Sequence, residues 1–147
     1  MYRRLYGSVN RTYTIFIMTH ESTLRVRTYE LDGYGHVNNA VYLNYLEYAR
    51  TEYLRFVGFD YSGAVAAGYG LYVARVEIDY KKPALLDDLL TIRTWPIKKG
   101  AVSGIMAQTI LHEDQVIIEA RITWAFVDAA GTPTRIPARW DLPGLKP

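Results

Sequence analysis

The sequence predicts an α+β domain in which one long helix packs on an antiparallel sheet. Three observations carry the prediction. An apolar stripe at helical period runs through residues 39–57. Four β-rich runs follow between residues 74 and 127. The helix stands alone, ahead of those strands. Strands in series with one segregated helix are the pattern of a sheet covered on one face.

The elements follow in order. Residues 24–29 alternate apolar and polar side chains, as a half-buried strand does. The stretch Asp32-Gly33-Tyr34-Gly35 is turn-like, and its glycines permit unusual backbone angles. Asn38 or Asn39 is placed to cap the helix. Within it Tyr42, Leu46, Ala49, Tyr53 and Phe56 recur at alternating spacings of four and three, while Glu47, Arg50 and Glu52 lie off the stripe. Gly58 is a suitable stop. A Gly- and Ala-containing loop leads to Gly70, and Ala74, Val76, Ile78 and Tyr80 then alternate with Arg75, Glu77 and Asp79 until Pro83. Residues 90–95, 102–111 and 116–127 are further strands, the last two joined by the polar connection His112-Glu113-Asp114-Gln115. From Gly131 the chain holds four of its six prolines and is expected to be irregular.

The chain's 147 residues fit one domain, expected over residues 23–140, with a peripheral extension at 1–22 and a tail at 141–147. The extension carries Arg3 and Arg4. The apolar run at 13–18 is far shorter than the roughly 18–20 residues of a membrane span, so no span is expected. Met18 followed by Thr-His-Glu-Ser-Thr has the look of an ordinary protein start. The alternation at residues 12–15 leaves open a strand added to the sheet edge.

Composition narrows the function classes. With no cysteine there is no disulfide, thiol nucleophile or thiolate metal site, and a reducing, cytoplasmic location fits. A formal charge of +2 gives no footprint for nucleic acid. His20, His36 and His112 are scattered, so no metal and no cofactor are expected. Ser62 and Ser103 lack the glycine spacing of a nucleophile elbow, and no phosphate-binding Gly-rich loop occurs. Carboxylates, backbone amides and solvent are left to do the chemistry.

The segment Glu30-Leu31-Asp32-Gly33-Tyr34-Gly35-His36-Val37-Asn38-Asn39 sets a carboxylate and an imidazole just ahead of a helix start. Unpaired N–H groups and the helix dipole there favour negative charge, and a thioester carbonyl at that place would have its developing oxyanion stabilised. A nearby carboxylate can then attack or activate water. Taken alone, the same residues also suit plain turn and cap chemistry.

That segment, continued by Tyr42-Leu43-x-Tyr45-x-Glu47-x-Ala49-Arg50, resembles the 4-hydroxybenzoyl-CoA thioesterase family of hotdog proteins and, in part, the plant acyl-carrier-protein thioesterases. The likeness extends over about residues 24–137, with Val76-Glu77-Ile78-Asp79-Tyr80-Lys81-Lys82-Pro83-Ala84 similar to the family's second strand and its exit. It implies a hotdog fold, a curved antiparallel sheet wrapped around one long central helix. It implies a homodimer, or a homotetramer as a dimer of dimers, with two sites at the subunit interface. The substrate implied is an acyl-CoA or acyl-carrier-protein thioester.

The resemblance places Asp32 on the catalytic carboxylate, Asn39 where a helix-start N–H polarises the carbonyl, and His36 on a shared histidine. Tyr34 falls where the plant enzymes have an additional Asn, so that role is absent. Glu30 stands where many relatives carry Asp and is assigned no chemistry. Substrate-binding candidates are Tyr34, Val37, Asn38, Glu47, Lys81 and Lys82. Glu47 also suits an ion pair with Arg50, and the two lysines suit either a solvated strand end or the phosphates of CoA.

The expected reaction is thioester hydrolysis, with Asp32 as base or nucleophile, amides near residues 37–39 as oxyanion hole and His36 as the orienting group. A non-catalytic acyl-binding module is the rival of another class. An enoyl-thioester hydratase is less suited, since His36 follows Asp32 by four residues across Gly-Tyr-Gly rather than by five across prolines.

Overall fold

The computed structural model describes residues 18–147; the apolar run and alternation at 12–17 lie outside the described residues. Five strands, β1 (His20–Arg25), β2 (Gly70–Tyr80), β3 (Leu89–Lys99), β4 (Ser103–His112) and β5 (Gln115–Val127), form one sheet in the order β1-β3-β4-β5-β2. Every neighbouring pair is antiparallel. Helix α1 (Val41–Phe56) lies on one face and a short α2 (Tyr61–Ala66) follows it.

Period-two alternation fills the space between helix and sheet. Leu90 and Ile92 on β3, Ile110 on β4 and Ile118 and Ile122 on β5 are fully buried against Tyr42, Tyr45, Leu46 and Ala49 of α1. A second cluster gathers Tyr53, Leu54, Trp124, Phe126, Trp140 and Leu145 under the far end of the helix. The stripe read from the sequence holds from Tyr42 to Tyr53, but Phe56 is 42% exposed and leans on the His20 ring at 5.0 Å. Tyr45 and Leu54 take the remaining inward places. Gly58 ends the helix with φ 79°, in the left-handed region that favours glycine.

Several expected boundaries move. The first strand is His20–Arg25, so a domain border after residue 22 cuts through it; Ser22 pairs with Ile92, and Glu21 reaches Arg93 at 2.7 Å. The ladder stops there because the Arg27 N–H turns to the Glu30 carboxylate (2.7 Å), closing a 3-10 turn over Thr28–Glu30. β3 runs past residue 95 to Lys99. Pro96 is tolerated because the register with β4 shifts between Pro96 and Lys98, so its missing N–H falls at an irregularity. α2, read as loop, is capped by Asp60, whose Oδ1 accepts the Gly63 N–H (2.9 Å).

The hairpin joining β4 and β5 is as expected, with Glu113 and Asp114 at φ 48° and 62°, the positive values a two-residue turn requires. Residues 141–147 are no loose tail. Leu145 is buried, and the Tyr53 hydroxyl donates to the Gly144 carbonyl at 2.5 Å. No described helix is long and apolar enough to cross a membrane.

Candidate active site

The segment between the 3-10 turn and α1 folds back on itself. Leu31 and Val37 form an antiparallel bridge, the Asp32 N–H donates to the His36 carbonyl (2.7 Å), and the Gly35 N–H donates to the Asp32 carbonyl (3.2 Å). Gly35, at φ 77°, takes the left-handed place in this turn. The Asp32 carboxylate is thereby locked through one oxygen only. Its Oδ1 accepts the N–H groups of Tyr34 (2.8 Å) and His36 (3.1 Å), and Oδ2 accepts no hydrogen bond among the described residues.

Asp32, His36, Asn39, Tyr80 and Lys82 line an open hollow of about 350 Å³ where the helix start meets the exit of β2. Val37, Tyr42 and Lys81 also line it. A larger hollow of about 650 Å³ along β1 and the 3-10 turn, bordered by Arg25, Arg27 and Tyr48, contains none of the residues selected from the sequence. The smaller hollow is the one that brings Asp32, His36 and Asn39 together.

The backbone amides on this wall are mostly spent. The His36 N–H goes to Asp32 Oδ1, the Val37 N–H to the Ala84 carbonyl (2.9 Å), the Asn38 N–H to the Glu30 carbonyl (2.9 Å) and the Ala40 N–H to Asn38 Oδ1 (3.0 Å). The Asn39 N–H alone of these five has no acceptor among the described residues. Of the amides expected at residues 37–39, pairing with Ala84 and Glu30 therefore removes two and leaves only that of Asn39 available. Asn38 is likewise no side-chain cap of α1. The helix starts after Ala40, and the Asn38 oxygen closes only the turn before it.

The other candidates divide. Lys81 pairs with Glu119 at 2.8 Å, whereas Lys82 has no acidic partner among the described residues. The Tyr34 side chain is 88% exposed and outside the hollow; only its N–H serves Asp32. Glu47 does not line the hollow, and its carboxylate is paired with Arg50. Arg50 also donates to Gln108 (2.9 Å), whose amide reaches the Leu46 carbonyl and Thr94. That is the ion-pair and network reading of Glu47. Among the described residues no group of three or more His, Cys, Asp or Glu is gathered as a metal would need.

No chemical role is expected of Glu30 or Tyr80 from the sequence. Glu30 is 5% exposed and accepts from the Tyr45 hydroxyl (2.6 Å), the Arg27 N–H (2.7 Å) and Arg27 Nε (3.0 Å). Burial pushes its carboxyl up, but the hydrogen bonds from Tyr45 and Arg27, with the Arg27 charge, outweigh burial and hold it below its ordinary value. Burial and Glu30 together raise Tyr45. A carboxyl lowered in the folded state stabilises fully above its unfolded value, about 4.3, and that stabilisation is lost as pH falls through the folded value. Glu30→Gln should therefore melt lower at neutral pH and lose less on acidification than the parent. Melting curves from pH 7 to 3 check this, and parallel slopes for the two proteins would refute it.

Likeness to known proteins agrees with this geometry. A family model described as the thioesterase-like superfamily matches residues 26–141. The chain belongs to that superfamily. This thioesterase is 38% identical over 110 residues to the long-chain acyl-CoA thioesterase FadM of Escherichia coli, covering 74% of the chain and 83% of FadM. It is 32% identical over 127 residues to the chloroplastic acyl-acyl carrier protein thioesterase ATL3 of Arabidopsis thaliana, covering 81% of the chain but only 64% of that longer protein. Among solved structures, a probable thioesterase from Bartonella henselae superposes with TM-score 0.77 at 31% identity, over 82% of this chain and all of that one. The fold is the hotdog fold, and the enzyme is a thioester hydrolase.

Proposed function

We propose that this thioesterase hydrolyses acyl-CoA to a free carboxylic acid and CoA in the hollow beside the helix start. The observation that supports the reading is the pairing on one wall of a carboxylate with one oxygen unengaged, Asp32 Oδ2, and one unpaired amide, Asn39 N–H. Asp32 Oδ2 acts as base toward water or as nucleophile on the thioester carbonyl. The Asn39 N–H donates to the oxyanion that forms as the carbonyl becomes tetrahedral, and the C–S bond then breaks. On the base route the proton that Asp32 takes from water passes to the departing thiolate. On the nucleophile route the thiolate leaves first, and water then cleaves the mixed anhydride to the acid and free Asp32, its proton going to the thiolate. His36 holds Asp32 through its N–H on Oδ1, and its imidazole lines the same hollow, where it orients water or the substrate carbonyl.

Lys82, without an acidic partner among the described residues, provides a cation at the mouth of the hollow for the phosphates of CoA; Lys81 shares its charge with Glu119. The likeness to FadM supports a long-chain acyl group. A panel of short, medium, long-chain and aromatic acyl-CoAs tests the reading, with acyl-carrier-protein and pantetheine thioesters of the preferred acyl group as further arms. Highest kcat/KM on a long-chain CoA thioester is the expected result. No turnover on any arm would overturn hydrolysis, and equal turnover of the pantetheine thioester would remove the phosphate role of Lys82.

The working unit is a dimer joined along β2. This eleven-residue edge strand leaves one side without a strand partner among the described residues, exposes Tyr72 and Val73, and ends at Tyr80 beside the hollow. A long exposed edge of this kind is ordinarily paired or covered. Light scattering at assay concentration should give at least twice the chain mass. An active monomer would contradict this assembly.

A further inference from the structure

The unpaired Asn39 N–H has to be held in place if it is to act, and its two flanking peptide groups show what holds it. Each peptide unit is planar, so the direction of the Asn39 N–H is set by the carbonyl that shares its plane, that of Asn38. That carbonyl accepts the Val41 N–H at 2.9 Å, inside the helix start. The next peptide plane carries the Asn39 carbonyl, and its acceptor site is taken by the Tyr80 hydroxyl at 3.0 Å. The rotations on both sides of the Asn39 Cα are thus constrained, one by the helix and one by a side chain from the sheet.

Tyr80 is suited to the task. It is the last residue of β2, paired with Ile118 of β5, so its position is set by the sheet. Its ring meets Tyr42 edge to face, with centroids 5.8 Å apart and planes at 66°. Tyr42 is itself tied down, since its hydroxyl accepts the Ala84 N–H at 2.9 Å. A hydroxyl carried by a rigid strand therefore spans from the sheet to the loop that opens α1.

Building on the proposed hydrolysis, we infer that Tyr80 is a positioning residue for the oxyanion donor: its hydroxyl holds the Asn39 carbonyl and so sets where the Asn39 N–H stands. Tyr80 also lines the hollow, so a plain role as a wall for the acyl group must be told apart from positioning. The two differ in what they move. A wall contact is present in bound substrate and transition state alike and changes KM, whereas a misplaced oxyanion donor changes kcat.

The test is Tyr80→Phe in the full chain, which removes one oxygen and keeps the ring. The expected result is a kcat lowered about tenfold, less than the roughly 100- to 1000-fold cost of deleting an oxyanion donor outright, with KM within about twofold of the parent. A raised KM with unchanged kcat would assign Tyr80 to the wall and overturn the inference; so would unchanged kinetics. A second measurement is independent of turnover. In amide NMR spectra of the substrate-free protein, the Asn39 resonance should shift and broaden in Tyr80→Phe, with Val37 and Asn38 unmoved. An Asn39 amide identical in the two proteins would overturn the inference, even if no thioester is turned over. Conversely, a displaced Asn39 amide in a protein that hydrolyses nothing would leave the clamp standing and sink the reaction.

Discussion

Asp32→Asn should lower kcat at least about 100-fold, roughly 2.7 kcal/mol of transition-state stabilisation, while leaving the fold intact. The substitution is mild for structure because of how the carboxylate is held. The oxygen that accepts from Tyr34 and His36 is retained by the amide side chain, and the atom exchanged is the one with no partner among the described residues. The loop bridge of Leu31 with Val37 and the backbone bonds between Asp32 and His36 do not involve the side chain at all. Circular dichroism and melting temperature should match the parent while hydrolysis of the preferred acyl-CoA collapses. A folded Asn variant with near-parent turnover would take Asp32 out of the chemistry.

The largest loss of stability is expected from Leu46→Ala. Leu46 is fully buried at the centre of the helix face that meets the sheet, in one cluster with Ile92, Ile110 and Ile122. Truncating a buried leucine removes transfer free energy and leaves a cavity that relaxes only in part, which together cost about 2–5 kcal/mol. At roughly 2–4 °C per kcal/mol for a domain of this size, the melting temperature should fall on the order of 5–20 °C. Phe56→Ala is the informative comparison, since the sequence stripe assigns both residues to the core but the structure leaves Phe56 at the rim. It should cost less than half as much, and equal losses at the two positions would restore Phe56 to the core.

How legible each feature was depended on how far apart in the chain its parts lie. The helix and all four later strands were readable because period 3.6 and period two are local patterns, and burial of one face is what those patterns encode. The stripe failed only at Phe56, the last residue of the helix, which is partly exposed and rests on the His20 ring. The run read over residues 90–95 stops short of Lys99 because the strand continues through Pro96 only with an extra residue, Ile97, opening a bulge on β3 against β4, a feature of pairing that residue type does not show. α2 has six residues, too few to show a periodic stripe. The closing residues read as irregular from their prolines, and what makes them part of the fold is a hydroxyl 91 positions earlier, on Tyr53.

The site divides along the same line. Sequence alone was enough for the α+β class and for the single helix. It was also enough for the segment in which Asp32, His36 and Asn39 precede that helix, because these rest on residue type and short spacing. Tertiary structure decided which of those groups remain available. The amides of Val37 and Asn38 are taken by carbonyls of Ala84 and Glu30, Glu47 is drawn to Arg50, and Tyr80 arrives from 41 positions away to hold Asn39. A hydrogen-bond donor's chemistry is written in its residue type. Whether it is already satisfied depends on what the folded chain brings within 3.5 Å of it, and local sequence carries no record of that.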